Sequence, residues 1–492
     1  MNGYILSIDQ STQGTKGILC DAAGNLIARA DRSHRQIVNQ AGWVEHDPEE
    51  IFANTLAVAD DVLKKAGVAG REIAAVGISN QRETVMAWDR KTGKPLYNAI
   101  VWQCARAASI CKEMSEMADS VRAKTGLNLS PYFSAAKLTW LMRKVPEVKA
   151  RADRGTLCCG TMDSWLVFQL TGGRSFKTDY SNASRTQLFN ICTLCWDDEL
   201  CRLYEIPKES LAEVCMSDSE FGTTDFGGLL EHPVPIRGVL GDSHSALLGQ
   251  NCRSRGSIKA TYGTGSSVMM QMGPEAVRST HGLVTSLAWG LNGKVEYVLE
   301  GNLNYTGAVI SWLKKEVGLL ADDHESECLA ASANPDDRAY FVPAFTGLGA
   351  PYWDSEATGI LTGVTRTTKR AEIVKACVEC IAYQIADLMG LMSEDAGLPV
   401  TELKVDGGPT ANRYLMQFQS DLTNAAVHVP AVQELSAIGA AYVAGFSAGL
   451  YDAGRVFESA HYTSYHASMS AQRREQLLAG WKQAVRQALT HA

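Results

Sequence analysis

Two segments with the same pattern lie one at the start of the chain and one just past its midpoint. In the first, an apolar strand over residues 4–9 is followed by a small polar turn and a second apolar run over residues 17–21. In the second, residues 257–262 and 266–270 repeat the order of strand, turn and strand. Such runs joined by small polar residues are typical of hairpins. Because a repeated unit indicates one structural plan used twice, we expect two similar lobes.

Alternating helical and strand patterns follow each hairpin. Helices are predicted over residues 49–65, 306–317, 370–392 and 470–489, and short apolar strands over residues 73–79 and 402–405. Mostly apolar strands fit a sheet that is covered on both faces. This order predicts the α/β class with a mixed sheet in each lobe. We place the two domains at residues 1–248 and 249–492.

Charge and hydropathy exclude several classes of partner. A chain of 492 residues with a formal net charge of −8 and a pI near 5.8 has no basic face for a nucleic acid backbone. No apolar stretch reaches the length of a membrane span, and the N-terminal run lacks the basic start of a signal peptide. These features predict a cytoplasmic protein whose partner is a small molecule, with no nucleic acid and no membrane.

Three segments carry residues suited to phosphoryl transfer, which requires a phosphate cradle, a metal ion and a carboxylate that receives the acceptor's proton. The turn over residues 9–17 combines Asp9 with hydroxyls, glycines and one cation, and residues 262–267 form a similar turn in the other half. The strand over residues 235–241 ends at Asp242, just before a helical stretch. Each feature alone has an ordinary alternative, a solvated turn or a helix N-cap. Together they favour a site that holds a polyphosphate and its metal ion.

Other polar and aromatic residues indicate where the remaining ligand groups bind. Arg82 and Glu83 follow an apolar strand and offer donors and acceptors for vicinal hydroxyls, although a surface ion pair is the alternative. Trp102 and Tyr132 could supply an aromatic wall, although single aromatic residues are more often part of a core. Residues 405–412 join a strand end, a glycine pair and a helix start, which a flat base can approach closely. No G-x-G-x-x-G follows a strand and no P-loop motif occurs.

Longer blocks of sequence carry a resemblance to a known family. They are residues 42–48 (Gly-Trp-Val-Glu-His-Asp-Pro), 80–84, 97–104, 132–141, 179–186 and 343–354. In this order they resemble the FGGY family of carbohydrate kinases, and within it the glycerol kinase branch, from about residue 4 to residue 482. The resemblance implies two actin-like, ribonuclease H-like lobes around a cleft. It also implies ATP-dependent phosphorylation of a primary hydroxyl of a small polyol or ketose, with ATP and Mg²⁺, in a homodimer or homotetramer.

The resemblance further implies roles for individual residues. Asp242 is expected to be the catalytic base and, with Asp9, to contact the magnesium ion. The positions expected to bind ATP are Thr12, Gln13, Lys16, Gly263, Thr264, Gly307, Ser311, Gly408 and Asn412. The positions expected to bind the acceptor are Arg82, Glu83, Trp102, Tyr132, Asp242, Ser243 and Ser267.

Four positions depart from the pattern of the glycerol kinase branch. Lys16 replaces an arginine, so that a point charge stands in place of a planar fork, and Ser311 replaces a glutamine at the nucleotide site. In the acceptor pocket, Ser243 replaces a glutamine and Ser267 replaces a phenylalanine. Both acceptor-pocket replacements remove volume. We therefore expect a four- or five-carbon polyol or ketose to be preferred over glycerol.

Two alternative functions and one regulatory expectation accompany this interpretation. The chain could be a glycerol kinase in the ordinary sense, making glycerol 3-phosphate, or a non-enzymatic actin-like ATPase module, because fold alone does not fix function. Residues 226–233 match the glycine-rich loop through which some glycerol kinases bind the inhibitor fructose 1,6-bisphosphate. They offer Glu231 where a phosphate needs cations, so insensitivity to this effector is expected.

Overall fold

The computed structural model describes residues 3–458 and 460–490. Its first strands are β1 (Tyr4–Gln10), β2 (Gly14–Cys20), β3 (Leu26–Ser33), β4 (Ile37–Val38), β5 (Val44–His46), β6 (Ile73–Asn80), β7 (Val85–Asp89), β8 (Ala99–Ile100), β9 (Leu157–Thr161), β10 (Lys177–Asp179), β11 (Phe189–Asn190) and β12 (Cys195–Trp196). They are followed by β13 (Glu213–Cys215), β14 (Thr223–Thr224), β15 (Val234–Gly241), β16 (Ile258–Tyr262), β17 (Ser266–Gly273), β18 (Val284–Leu291), β19 (Lys294–Leu303), β20 (Tyr340–Val342), β21 (Ile360–Thr362), β22 (Glu402–Asp406), β23 (Ala426–Pro430) and β24 (Tyr462–Tyr465).

The α-helices lie between these strands. They are α1 (Pro48–Ala66), α2 (Ala108–Glu113), α3 (Ala118–Thr125), α4 (Ser134–Lys144), α5 (Pro146–Asp153), α6 (Met162–Leu170), α7 (Tyr180–Ala183), α8 (Asp198–Leu203), α9 (Asp242–Gly249), α10 (Gly307–Lys315), α11 (Glu325–Ser332), α12 (Arg370–Ala396), α13 (Arg413–Thr423), α14 (Leu435–Ser447) and α15 (Ala471–Ala488).

The first lobe is built around a six-stranded sheet with the order β14-β15-β6-β1-β2-β3. β1 runs antiparallel to β2 and parallel to β6, and β15 runs parallel to β6, so the sheet is mixed. α1 packs on β2 and β3, while α14 packs on β6, β15 and β1. The carboxyl ends of β1, β6 and β15 therefore lie side by side at one edge of the sheet.

The second lobe is built around a seven-stranded sheet with the order β18-β19-β17-β16-β22-β23-β24. β16 and β17 form an antiparallel hairpin, and β16 also runs parallel to β22. The long helix α12 contacts β17, β19 and α13 in the core of this lobe. The hairpin of β1 and β2 in the first lobe and that of β16 and β17 in the second confirm the predicted use of one plan twice, with a mixed sheet in each lobe.

The chain returns from the second lobe to the first near its C-terminal end. α14 follows β23 of the second sheet, yet it packs on the first sheet and against α9. α14 was not predicted from the sequence, because it is apolar on nearly all sides and so lacks the one-sided period of an amphipathic helix. The predicted helices over residues 49–65, 306–317, 370–392 and 470–489 are confirmed as α1, α10, α12 and α15.

β19 lies between the core of the second lobe and the cleft between the lobes, with one face towards each. Tyr297, Leu299 and Leu303 pack in the core of the second lobe. Val298 instead packs in a cluster with Leu240, which belongs to β15 of the first lobe. Because successive side chains of a strand point to opposite faces, the even-numbered residues of β19 face the first lobe.

One helix has the length and hydropathy of a membrane span. Among residues 3–458 and 460–490 it is α12, and 67% of its most apolar window is buried inside the protein. Burial of this extent is typical of a helix in a protein core.

Candidate active site

Asp9 lies at the carboxyl end of β1, next to the end of β6. Ser79 Oγ donates a 2.9 Å hydrogen bond to Asp9 Oδ1. Burial raises the pKa of Asp9 to about 6; the nearby Lys16 ammonium works against this rise, and the carboxylates of Asp242 and Glu434 add to it. Gln10 and Gly241 both pair with Asn80 at the end of β6, so the neighbouring carboxyl groups of Asp9 and Asp242 share one region of the cleft.

Asp242 is the first residue of α9, directly after β15. Its Oδ1 accepts a 2.6 Å hydrogen bond from the backbone N–H of Ser243 and lies 3.2 Å from Arg82 Nε. The N-cap position of α9 belongs to Gly241, so Asp242 is the first residue inside the helix and not its N-cap residue. The Asp242 side chain is about one third (32%) exposed. It is therefore both oriented by a guanidinium and accessible to a ligand.

A buried ionic cluster joins the two lobes beside Asp242. The Arg82 guanidinium donates to both carboxylate oxygens of Glu300, at 3.1 and 2.7 Å. Arg185 Nη1 forms an ion pair with Glu300 at 2.7 Å, and Arg185 Nε donates to Glu83 Oε1 at 2.6 Å. Burial alone would raise the pKa of Glu300, but Arg185 and Arg82 together hold that pKa below its ordinary value. We name Arg82, Glu83, Arg185 and Glu300 the ionic cluster.

Glu300 and Arg185 were not assigned a role from the sequence. The signal for Glu300 is a single carboxylate in the apolar run that ends β19, since a charge at a buried strand position needs a partner. Arg185 lies within one of the blocks that carry the family resemblance, but nothing in its local pattern indicates which carboxylate it binds.

The two aromatic residues predicted to form a wall lie together next to the turn between β1 and β2. Trp102 Nε1 donates a 2.9 Å hydrogen bond to Thr12 Oγ1, and the rings of Trp102 and Tyr132 pack edge to face with centroids 5.4 Å apart. Burial and the neighbouring Glu83 carboxylate raise the pKa of Tyr132, so its phenol stays protonated. The turn between β1 and β2 is thereby tied to this aromatic pair.

Lys16 and Gln13 lie in the same turn region but in different surroundings. Lys16 Nζ forms a 2.8 Å ion pair with Glu434, the residue just before α14, and Arg29 binds the same carboxylate at 2.5 Å. The Gln13 side chain is exposed. The structure thus places Gln13 at the open surface of the turn and ties Lys16 to the C-terminal part of the chain.

A cavity of about 740 Å³ lies in the second lobe. Its lining includes six of the positions predicted to bind ATP, which are Gly263, Thr264, Gly307, Ser311, Gly408 and Asn412. The backbone N–H of Gly307 donates to the carbonyl of Gly263 at 2.9 Å, which fixes the start of α10 against the second turn. Asn412 caps α13 by accepting from the backbone N–H of Leu415 at 2.9 Å.

The same cavity has an aromatic side that the sequence analysis did not assign to it. Trp312 stacks on Phe341 with the ring planes 8° apart, and Phe345 packs against both Trp312 and Tyr305. Trp312, Phe345 and Tyr305 line the cavity. A flat base can stack on such rings, so the cavity has the size and chemistry of a nucleotide pocket.

The carboxylate geometry suits a magnesium ion that is also held by phosphates. Within the described residues, no cluster of three or more His, Cys, Asp or Glu side chains could hold a metal ion by itself. Magnesium in phosphoryl-transfer sites is usually bound by one or two carboxylates together with the phosphates of the substrate. Asp9 and Asp242, oxygen donors in one region of the cleft, fit this pattern.

Comparison with known proteins shows which family contains this arrangement. The model of the "FGGY family of carbohydrate kinases, N-terminal domain" matches residues 4–249, and that of the C-terminal domain matches residues 258–448. The chain belongs to the FGGY family of carbohydrate kinases. Among curated FGGY relatives, glycerol kinase from Symbiobacterium thermophilum is 46% identical over 99% of this chain and 98% of the relative. Glycerol kinase from Alkaliphilus oremlandii is 45% identical with the same coverage.

Solved structures of FGGY kinases share the fold along the whole chain. Plasmodium falciparum glycerol kinase, crystallised with ADP, has a TM-score of 0.93 and 37% identity, and the match covers 100% of this chain and 99% of that one. A xylulose kinase from Lactobacillus acidophilus has a TM-score of 0.89 at 24% identity, with coverage of 100% and 99%, which shows the fold alone. These findings confirm the predicted two-lobed fold and the ATP-dependent kinase class.

Proposed function

We propose that this FGGY kinase transfers the γ-phosphoryl group of Mg-bound ATP to a primary hydroxyl of a four- or five-carbon polyol or ketose, with Asp242 as the base. The observation that carries the proposal is the position of Asp242, which is accessible and held by Arg82. A series of direct contacts links it to the second turn: Arg82 binds Glu300, and Glu300 accepts from Ser267 Oγ at 2.9 Å. Ser267 lies three residues after Thr264, which lines the nucleotide cavity.

The reaction follows from these positions. The acceptor's hydroxyl oxygen bonds to the γ-phosphorus as the bond from that phosphorus to the bridging oxygen breaks, and the hydroxyl proton passes to the Asp242 carboxylate. ADP leaves with the bridging oxygen. Arg82 keeps the carboxylate oriented through its Nε, while its two terminal nitrogens remain occupied by Glu300. Glu83 and Tyr132 offer polar groups for the acceptor's neighbouring hydroxyls.

Asp9 and Asp242 are the residues that would hold the magnesium ion. When bound, the ion would neutralise the negative charge of the phosphates. A cation beside Asp9 would also keep this carboxyl group ionised against the burial that raises its pKa to about 6.

The size of the acceptor follows from two serines. Ser267 points its hydroxyl at Glu300, in the position where the glycerol kinase branch has a phenylalanine. Ser243, in the first turn of α9, is half-buried next to Asp242. Both side chains leave room and offer a polar group, which favours an acceptor longer than three carbons. A glycerol kinase in the ordinary sense is the second candidate, because the curated relatives carry that name.

A panel of acceptors decides between the two candidates. The kcat/KM values of the purified enzyme for glycerol, erythritol, ribitol, xylitol, xylulose and ribulose are compared by coupled ADP release. We expect a four- or five-carbon acceptor to have the highest value, and Ser267→Phe to shift the ranking towards glycerol with the KM for ATP unchanged. Highest activity with glycerol in the unmodified enzyme would support the second candidate. ATP turnover without dependence on any acceptor would instead support a non-enzymatic ATPase module.

We further propose that the enzyme is cytoplasmic and acts as a homodimer or homotetramer. The charge and hydropathy of the sequence support the first statement, and the family resemblance supports the second. Cell fractionation and light scattering coupled to gel filtration test them.

A further inference from the structure

The wall of the acceptor region that faces Asp242 continues along β19 beyond Glu300. Glu300 and Asn302 are both even-numbered, so both side chains lie on the face of β19 that is turned towards the first lobe. Asn302 pairs directly with Ser267 across the β17–β19 ladder. Directly opposite residues of an antiparallel pair have Cβ atoms about 5 Å apart. Asn302 therefore borders the space that Ser267 leaves open.

Some hydrogen-bonding groups along this wall already have protein partners, and others do not. Glu300 is saturated, because its two oxygens accept from Arg82 and Ser267 and face Arg185. The Ser267 hydroxyl uses its single O–H to donate a hydrogen bond to Glu300 and retains lone pairs that can accept. The Asn302 side chain is half-buried and makes no hydrogen bond or ion pair to any residue the structure describes. Its amide offers two donors and one acceptor.

Leaving such an amide unpaired in a site that closes around a ligand is unfavourable. Two hydroxyls of the acceptor can bind the two available groups on this wall. One hydroxyl can donate to Ser267 Oγ, and the next hydroxyl along the carbon chain can bind the Asn302 amide. In the proposed reaction, the hydroxyls of a three-carbon acceptor are expected at Asp242, Glu83 and Tyr132. The wall thus matches hydroxyls that only a longer acceptor has.

We propose that Asn302 is a specificity-determining residue that binds, together with Ser267, the hydroxyls of the acceptor beyond its terminal diol. The inference rests on the proposed function and assigns its acceptor class more closely, as a tetritol, pentitol or ketopentose with adjacent hydroxyls on its third and fourth carbons. Asn302 does not take part in the transfer of the proton or of the phosphoryl group.

The test compares kcat/KM for ribitol, xylulose and erythritol with kcat/KM for glycerol in Asn302→Ala. We expect the ratio of the best longer acceptor to glycerol to fall by about tenfold, as for loss of one hydrogen bond to a substrate hydroxyl, with the KM for ATP unchanged. Asn302→Ser should restore part of the ratio. The matched control is Asn304→Ala, because Asn304 is exposed, follows the end of β19, and has its side-chain amide near Gly349. This control is expected to leave the ratio unchanged.

A second measurement separates a direct contact from a general loss of structure. In the Ser267→Phe background the longer acceptor is excluded from the wall, so adding Asn302→Ala should change the ratio less than twofold. An unchanged ratio in the single variant, or a full tenfold effect in both backgrounds, overturns the role of Asn302. The unmodified enzyme's own acceptor ranking decides the proposed function separately, since it does not depend on either variant.

Discussion

The Arg82 guanidinium holds Glu300 through both of its terminal nitrogens, at 3.1 and 2.7 Å, across the cleft between the two lobes. Arg82 also lies 3.2 Å from Asp242 through its Nε. One residue of the first lobe therefore orients the proposed base and at the same time fixes the distance to the second lobe. The proposed acceptor region is formed by both lobes together, which explains why its chemistry depends on pairs that are far apart in the sequence.

Replacement of Glu300 tests the importance of this link. Glu300→Gln removes the carboxylate that the buried Arg82 and Arg185 share and leaves them only Asp242 and Glu83 as charged partners. Removal of one member of a buried ion pair typically costs about 3–5 kcal/mol. We expect a loss of unfolding free energy of about 3 kcal/mol and a higher KM for the acceptor. The control is Glu296→Gln, on the same face of β19, where the carboxylate accepts only from neutral groups such as Trp289. Equal losses of stability in both variants would contradict the prediction.

Asp242→Asn separates chemistry from binding. The amide keeps the shape of the carboxylate but cannot accept the proton, so we expect turnover to fall by at least about a hundredfold. The dissociation constant for ATP should remain nearly unchanged, because the cavity proposed to bind the nucleotide lies in the second lobe. Rate and nucleotide affinity are measured on the same preparation. Retention of more than about a tenth of the normal turnover would rule out Asp242 as the base.

The sequence predicted the parts of this enzyme that depend on local patterns. Neighbouring residues are enough to predict the hairpins β1–β2 and β16–β17. They are also enough to predict the strand that ends at Asp242 and the glycine pair before α13. The ionic cluster could not be read in this way. Arg82 and Glu300 are 218 positions apart, and Lys16 and Glu434 are 418 apart. Only the packing of the two lobes decides which charges become partners.

Gly408→Ala tests the close approach of the nucleotide to the backbone. An added Cβ at Gly408 has no protein atom within 4 Å, yet Gly408 lines the nucleotide cavity. We expect an unchanged thermal midpoint and a KM for ATP at least about fivefold higher, because a methyl group would occupy space needed by the ligand. Gly390→Ala is the matched control, since its Cβ also meets nothing and it lies in α12, away from the cavity lining. Similar kinetics of the two variants would argue against this role for Gly408.

The enzyme is expected to be insensitive to fructose 1,6-bisphosphate. In the glycine-rich loop that matches the effector site of some glycerol kinases, Glu231 provides a carboxylate and pairs with Arg71 at 3.3 Å, so this cation is already engaged. A bisphosphate requires several unpaired cations. Activity is measured with up to millimolar effector at saturating and limiting acceptor. Inhibition by half would show that the loop binds the effector despite its charge.

The pH dependence of stability tests the protonation of Asp163, a buried carboxyl group in the interior of the first lobe. It lies in the first turn of α6, fully buried, and accepts hydrogen bonds from Thr161 Oγ1 at 2.6 Å and Thr178 Oγ1 at 2.5 Å. Burial, with a contribution from the Asp179 carboxylate, raises the pKa of Asp163 from 3.8 to about 7.

A carboxyl group with a raised pKa binds its proton more tightly in the folded state than in the unfolded chain. Its contribution to stability is therefore complete below pH 3.8 and is lost as the pH rises through about 7. Asp163→Asn removes the ionisation while keeping one acceptor and adding a donor for Thr178. We expect the thermal midpoint of the variant, relative to that of the unmodified enzyme, to rise as the pH increases from 5 to 7. Above pH 8 the difference between the two midpoints should change little. Asp197→Asn is the control, because the pKa of Asp197 is lowered to about 2 and its ionisation does not change in this range. A difference between Asp163→Asn and the unmodified enzyme that stays constant from pH 5 to pH 8 would mean that Asp163 does not change its protonation state in this range, and would contradict a pKa raised to about 7.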